Sequence, residues 1–387
     1  MTQSNATEIT RGKHITALDG VRGMAVLLVV VFHYGGGAQS RQPLVHAMGV
    51  LIKFGWAGVS LFFVLSGFLI TGILWDARGK PHWWKNFYIR RVLRIFPLYY
   101  AALLLTACLG KWHGEIWRNL KGFATYAFYL QNYPTLFQNN IATHLKLYHF
   151  WSLAVEEQFY LVWPFVINFI SSRASAKRIC VVVIIGSLVF RLIGIHYGFV
   201  DVGGLTLSRS GELAAGAWLA LTIRGPRIEW EKVVRLAPAC AIISALGLVG
   251  IGVLDGSFVL GLPWMTSAGL CFLAFLCSSL VVLAISGFRF RRLMETRWLC
   301  WFGTISYGLY VYHVLLLGLY QHLAYALVGS RSQSVIALTV AAIGLPCPLF
   351  VTILSFRYLE SPMLRLKNRF GSKDRSGFIK PVQHIAG

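Results

Sequence analysis

A histidine fourteen residues after an aspartate, inside an unbroken apolar run, is the first place where this sequence could do chemistry. The run reads LDGVRGMAVLLVVVFHY and carries Asp19, Arg22 and His33. An ionisable side chain in a membrane-length apolar stretch costs roughly 2.5–3.5 kcal/mol to insert, so each needs a reason. At about 100° per helical residue, Arg22 and His33 fall within about 60° of Asp19, on one face. Gly23 shares that face and admits close approach of a neighbouring backbone or a ligand. A neutral imidazole accepts a proton near pH 7, which makes His33 a candidate general base. The plainer alternative is an Asp19–Arg22 pair stapling the helix end, with His33 hydrogen-bonded in the core.

Further polar clusters interrupt the apolar sequence. NFYIRRVLRIFPLYY reads as a loop and helix start in which Arg90 and Arg94 share a face, with Arg91 beside them. Guanidinium groups match phosphate oxygens bidentately, so a phosphorylated ligand such as coenzyme A competes here with ordinary interfacial anchoring. HFWSLAVEEQFYLVWP places Glu156 and Glu157 side by side with Ser152 one turn earlier. Adjacent helix positions point about 100° apart, so at least one carboxylate must face a cavity or a basic partner. In RSGELAAGAWLA, Arg209 and Glu212 stand at i and i+3, followed by the small residues Ala214, Ala215, Gly216 and Ala217 that suit tight helix packing. Trp151, Ser152, Arg209 and Glu212 are the candidate substrate-binding residues. Ser66 and Gly67 suit close helix packing better than nucleophilic chemistry, because no base is evident beside the hydroxyl. No metal site is expected: His144 and His149 are loop residues without carboxylate or thiolate companions at ligand spacing.

The elements that must position these groups are membrane helices. The 387 residues are 56% hydrophobic and 13% charged, about half the charge of a soluble domain. Apolar blocks recur at 17–38, 50–75, 95–110, 150–170, 178–198, 210–224, 236–254, 262–287, 298–318 and 334–356. Many are near the ~20 residues that cross a bilayer core. The expected fold class is therefore an all-α polytopic membrane protein, a bundle of about ten transmembrane helices. The net charge of +22 does not indicate nucleic acid, because of 36 Lys and Arg, 26 lie in the six segments 11–13, 76–94, 171–178, 224–235, 288–297 and 357–387. Those segments face one side only if the short block 123–137 does not cross, so that block is expected to be re-entrant or interfacial, with both termini cytoplasmic. The expected division is a cytoplasmic N-terminal segment (1–16), a transmembrane domain (17–358) and a basic cytoplasmic tail (359–387). The seven cysteines are expected as small core residues. The first block shows no cleavable signal and is expected to remain a span.

In order and spacing, the stretches LDGVRGMAVLLVVVFH, GVSLFFVLSGFLIT, RRVLRIFPLYY, FWSLAVEEQFYLVWP, SRSGELAAGAWLA, GTISYGLYVYH and RYLESPMLR resemble the acyltransferase 3 family of integral membrane O-acyltransferases. The resemblance runs from Leu18 to Arg365. It implies ten or so helices, an acyl-CoA donor reached from the cytoplasm, and a hydroxyl acceptor, usually a sugar of a cell-envelope polymer or glycolipid in the bacterial inner membrane. It also implies that His33 is the essential histidine of the first span, that Arg90, Arg91 and Arg94 are the arginines after the second, and that Glu156 is the carboxylate of the WSLAVEEQFY run. Many members carry a C-terminal SGNH-hydrolase-like domain that this sequence does not match, so any acyl handover by such a domain is expected to be absent or done by another protein.

The resulting expectation is an enzyme that moves an acyl group, acetyl by preference, from acyl-CoA to a carbohydrate or glycolipid hydroxyl, with no permanently bound cofactor. Glu156 or Asp19 would hold the imidazole, and Arg22 would steady a carboxylate or the thioester oxyanion. His33 lies about 16 Å along the helix axis from Arg22, so donor and acceptor are expected to meet within the membrane. Two rival readings are acylation of a small hydroxylated molecule such as a macrolide, and transport of a lipid-linked sugar or an acyl group. The second sits poorly with the lack of inverted-repeat symmetry.

Overall fold

A computed structural model describes residues 14–35, 49–50, 52–111, 120–133, 147–199, 202–329, 333–344 and 346–367. These residues form helices without a β-sheet, as backbone groups in hydrocarbon require. The principal helices are α1 (Thr16–Gly35), α2 (Ala57–Ala77), α3 (Trp83–Lys111), α4 (Leu120–Ala127), α5 (Trp151–Phe169), α6 (Arg173–His196), α7 (Thr206–Ile223), α8 (Arg227–Leu254) and α9 (Leu270–Ser286). Shorter pieces follow as α10 (Phe288–Met294), α11 (Arg297–Thr304), α12 (Ser306–Leu315), α13 (Leu317–Val328), α14 (Gln333–Gly344), α15 (Pro346–Ser355) and α16 (Ser361–Lys367). Among the described residues seven helical stretches are long and apolar enough to cross a membrane, or up to eight if the bent pair α12–α13 forms one span. The protein is a multi-pass membrane protein, and the expected ten spans exceed what length and composition establish. Helices α5 and α7, with 19 and 18 residues, are of spanning length but carry the acidic and basic groups of the site.

Helix α2 is the wall on which the bundle is built. It is apolar all round, as a helix buried on every side must be. Val59, Phe63, Ile70 and Leu74 face one core with α3, α5 and α12, while Leu61, Val64, Leu65 and Phe68 face a second with α8 and α9. Glycines set the closest approaches. A Cβ at Gly67 would overlap the Leu213 carbonyl of α7, and one at Gly216 the Val64 carbonyl of α2. Likewise Gly20 and Gly23 of α1 lie on the Met294 and Leu299 carbonyls, and Gly303 lies on the Asp19 carbonyl. Small residues let backbones meet where lipid supplies no hydrophobic drive to pack.

Helices α1 and α2 run antiparallel, with Gly55 on the Leu28 carbonyl and Gly58 on that of Ala25. The C-terminal end of α2 therefore lies at the same end of the bundle as the start of α1. Arg78 donates to the Ile170 carbonyl at 2.6 Å, Arg224 pairs with Asp76 at 2.6 Å, and Arg173 and Lys177 converge on Glu229 at 2.7 and 2.8 Å. Basic segments separate in sequence thus gather at one end, as the charge pattern requires. The described part of block 123–137 begins in α4, whose eight residues cover only about 12 Å. Its chain then turns at Tyr129, a non-glycine residue at φ 56°. The remainder of that block and positions 368–387 lie outside the described residues.

Four expectations change. The arginine cluster is not a loop and helix start, because α3 is continuous from Trp83 and carries Arg90, Arg91 and Arg94 within it. The block 298–318 is three pieces rather than one helix, and α12 and α13 meet at 53°. Two features accompany the bend at Leu316: Gly318 just past it, and Tyr34 donating to the His313 carbonyl in the turn before it. The boundary at 358 falls inside a helical stretch that runs on to Lys367 with Glu360 buried. Of the seven free cysteines only Cys180 and Cys277 are buried; Cys271 is half-buried and accepts from Arg191, and Cys108 and Cys347 are exposed.

The close α2–α7 contact yields a stability prediction. Gly67→Val should destabilise the protein by about 1–3 kcal/mol or more through overpacking. Gly186→Val, at a position with open space, should leave it unchanged. Thermal unfolding in detergent micelles reads both, and equal midpoints would refute the contact.

Candidate active site

The polar residues of the bundle assemble into two stations. The first lies at the C-terminal end of α1, opposite the gathered basic segments. Here the His33 Nδ1 is 2.9 Å from the Val29 carbonyl oxygen and 3.2 Å from Nε2 of His313. Their ring centroids are 4.9 Å apart, with Tyr148 at 5.8 Å and His149 at 6.5 Å from His33. His313 has no exposed surface, and His149 is nearly as deep. Tyr310 donates to the His149 carbonyl at 2.7 Å, and its hydroxyl oxygen lies 2.5 Å from Ser152 Oγ. Helices α1 and α12 and the start of α5 thus present three imidazoles and two phenols to one another.

The second station lies toward the basic end. Ser66 of α2 donates to Glu156 at 2.7 Å, and Tyr160 donates to Ser66 at 3.1 Å. Glu156 also interacts electrostatically with Arg94 and Arg22, and Glu157 with Arg91. Glu360, from the helical stretch between α15 and α16, interacts electrostatically with Arg94 of the same group. Arg91 lies 5.8 Å from the ring centres of both Phe87 and Tyr160. Its Nε is buried without a hydrogen-bond partner. Arg90, Arg91 and Arg94 form no ion pair with a carboxylate among the described residues. At the rim, Asp19 pairs with Arg22 at 3.3 Å and with His14 at 2.8 Å. The Asp19 hydrogen bond raises the His14 imidazole above its ordinary pKa.

Placement of the sequence candidates follows. Asp19, Arg22, Arg91, Arg94 and Glu156 belong to the second station and His33 to the first, so neither Glu156 nor Asp19 holds the imidazole. The reason is axial: Asp19 and His33 are fourteen residues, about 21 Å, apart along one helix. Their shared face does not make them neighbours. Ser66 does have a carboxylate beside it, contrary to the reading of its local sequence. Arg209 and Glu212 form a buried pair at 3.0 Å. Arg209 also donates to Ser60 at 2.9 Å and lies 5.5 Å from the Trp151 ring centre. Ser152 joins Tyr310 instead.

His313, His149, Tyr310 and Glu360 were not singled out from sequence. For His313 and Glu360 the signal was present, an ionisable residue within or beside an apolar run, the same criterion that picks His33. For His149, read as a loop residue, the signal appears only when α5 packs on α12. Trp56 is buried and donates to the Phe258 carbonyl at 2.8 Å, and His144 lies outside the described residues. Among the described residues no three His, Cys, Asp or Glu side chains are placed to share a metal ion.

The Arg209–Glu212 pair gives a direct test of its role in the fold. Glu212→Leu leaves a buried guanidinium without its counter-charge and should cost about 3–5 kcal/mol. Adding Arg209→Met should restore most of that loss. Unfolding midpoints for the single and double variants measure the coupling, and additive effects would contradict it.

Comparison with known proteins fits this architecture. Residues 15–355 match a family profile described as an acyltransferase domain. The peptidoglycan O-acetyltransferase OatA of Listeria monocytogenes is 29% identical over 96% of this chain and 60% of its own length. The O-acetyltransferase OatA of Staphylococcus aureus is 27% identical over 96% of this chain and 61% of its own. A putative peptidoglycan O-acetyltransferase of Bacillus subtilis, YrhL, is 27% identical over 78% of this chain and 48% of its own. The chain therefore spans less than two thirds of the length of these curated relatives. No solved structure matches. With the family profile covering nearly all of the described bundle, the chain belongs to this acyltransferase-domain family.

Proposed function

We propose that the protein transfers an acetyl group from acetyl-CoA to a hydroxyl of a cell-envelope carbohydrate, with the glycan of peptidoglycan as the first acceptor to test. The observation that carries this reading is the separation of two chemistries along one bundle. A half-buried imidazole stands at one end, and guanidinium groups without carboxylate ion pairs stand toward the other. Acyl-CoA is an extended molecule with phosphates at one end and a thioester at the other, and it suits such a spacing. The relatives' names, O-acetyltransferase and peptidoglycan O-acetyltransferase, support the acyl group and the acceptor class.

In this reading the donor phosphates meet Arg90, Arg91 and Arg94, joined by Arg22. Glu156, held by Ser66, and Glu157 hold the arginine side chains in place without fully neutralising them. The thioester extends past Ser66, Tyr160 and Ser152 toward His33. The acceptor hydroxyl enters from the end nearest Tyr148, with Trp151 held on Arg209 as an apolar wall. His33 takes the hydroxyl proton as its oxygen attacks the thioester carbonyl carbon. A carbon–oxygen bond forms, the carbon–sulfur bond breaks, and the proton passes to the departing thiolate to give free CoA. In the same reading that end, and both termini, face the cytoplasm of a bacterium and the bundle sits in its inner membrane; the excess of Lys and Arg at one end supports this orientation.

Purified protein in proteoliposomes, given labelled acetyl-CoA and isolated glycan strands, tests the reading. His33→Ala should lower acetyl transfer by 100-fold or more, the range expected for a general base. Arg94→Ala should raise the KM for acetyl-CoA more than it lowers kcat. Turnover at the wild-type rate in the histidine variant would rule out the base, and an unchanged KM in the arginine variant would move the donor site elsewhere.

A further inference from the structure

The hydrogen-bond pattern around His33 specifies more than its position. Two ring nitrogens of a neutral imidazole have opposite characters, and the partner of one decides the state of the other. The Nδ1 of His313 lies 2.8 Å from the Tyr310 carbonyl oxygen and 3.1 Å from that of Leu309. Carbonyl oxygens only accept, so this nitrogen carries the hydrogen. In the neutral ring Nε2 is then a bare acceptor, and it points at His33 Nδ1 across 3.2 Å. The same His33 Nδ1 lies 2.9 Å from the Val29 carbonyl oxygen, a second acceptor. Both are satisfied together only if His33 Nδ1 carries a hydrogen shared between them.

We infer that His313 is a positioning residue that fixes His33 as the Nδ1–H tautomer, leaving Nε2 as the lone-pair nitrogen offered to the acceptor hydroxyl. The contact between the two rings sets which atom is the base. Val29 alone cannot do this, because an isolated backbone carbonyl one turn back is a common resting place for a helical histidine and leaves the ring free to turn. A second acceptor on another helix, fully buried and itself fixed by two carbonyls, removes that freedom. Tyr34 adds a further restraint by donating to the His313 carbonyl at 2.8 Å, so the residue next to His33 anchors the residue that orients it. The role of His33 in turnover rests on the function proposed above, whereas its tautomer does not.

The side-chain geometry supplies the test. A glutamine places an acceptor near the histidine Nε2 position, whereas asparagine reaches only as far as Nδ1. His313→Gln should keep the acceptor for His33, and His313→Asn should lose it while keeping a polar group against the Tyr310 carbonyl. Nitrogen-15 spectra of histidine-labelled protein in nanodiscs, with His33→Gln used to assign the signal, read the tautomer without any substrate. The wild type and His313→Gln should show His33 with unprotonated Nε2 and protonated Nδ1. His313→Asn should show mixed tautomers. In acetyl transfer from labelled acetyl-CoA, His313→Asn should lower kcat severalfold, in proportion to the Nδ1–H tautomer that its spectrum shows lost, with KM for acetyl-CoA unchanged, and His313→Gln should keep the wild-type kcat. A wild-type spectrum with protonated Nε2 overturns the inference even if no variant folds. An unchanged tautomer in a folded His313→Asn overturns it as well. If the spectra come out as expected but His33→Ala remains active, the function proposed for His33 fails and the tautomer assignment stands.

Discussion

An ionisable side chain surrounded by hydrocarbon must find its partner inside the protein, and that constraint organises this bundle. Water cannot complete the hydrogen bonds of a group at mid-membrane, and an unpaired charge there is costly. The buried ionisable residues of the site are mostly tied to a different helix or to their own turn. Arg209 is held by Glu212 and Ser60, Arg191 by the Ser208 carbonyl, Glu156 by Ser66, and His313 by two carbonyls of its own helix and by His33. The exceptions are informative. The guanidinium of Arg91 on α3 lies against the Phe87 and Tyr160 rings with its Nε unpaired, which is where a charged ligand would complete the set.

Such pairing demands that helices stand close and in fixed register, and glycine provides the closeness. Where Gly20, Gly23 and Gly303 bring α1 onto the α10–α11 region, the first helix is clamped at its basic end. Where Gly67 and Gly216 join α2 to α7, Ser66 and the Arg209–Glu212 pair are presented to α5 from the same wall. The broken helix α12–α13 serves the opposite end. Its bend comes just after the His313 carbonyl to which Tyr34 donates, and His313 faces His33. Packing and chemistry are thus set by the same few contacts.

Much of this was legible in the sequence. Apolar block length gave the helices, and the alternation of basic segments gave the end at which Arg78, Arg173 and Arg224 meet. The cost of burying His33, Arg22 and Glu156 marked them for attention, and Gly23 was read correctly as a point of close approach. Pairing between distant segments was not legible. His33 and His313 are 280 residues apart, and Ser66 and Glu156 are 90 apart, so nothing local announces either contact. A shared helical face suggested that Asp19 serves His33, but angular agreement carries no information about axial distance. The start of α3 was misplaced for a related reason: Arg90, Arg91 and Arg94 depress local hydropathy, although arginine is a good helix former. The break in α12–α13 has a glycine beside it, Gly318, but the sequence does not announce the tertiary hydrogen bond from Tyr34 to the His313 carbonyl just before the bend.

The account places donor and acceptor on opposite faces of one bundle, and sidedness tests that claim most directly. Sealed proteoliposomes of defined orientation would receive membrane-impermeant labelled acetyl-CoA on the face carrying Arg78 and Arg224, with glycan strands either inside or outside. Label should appear only in glycan on the opposite face, together with free CoA on the donor face. Equal acetylation of glycan on the donor's own face, or activity with donor supplied only from the His33 end, would contradict the account.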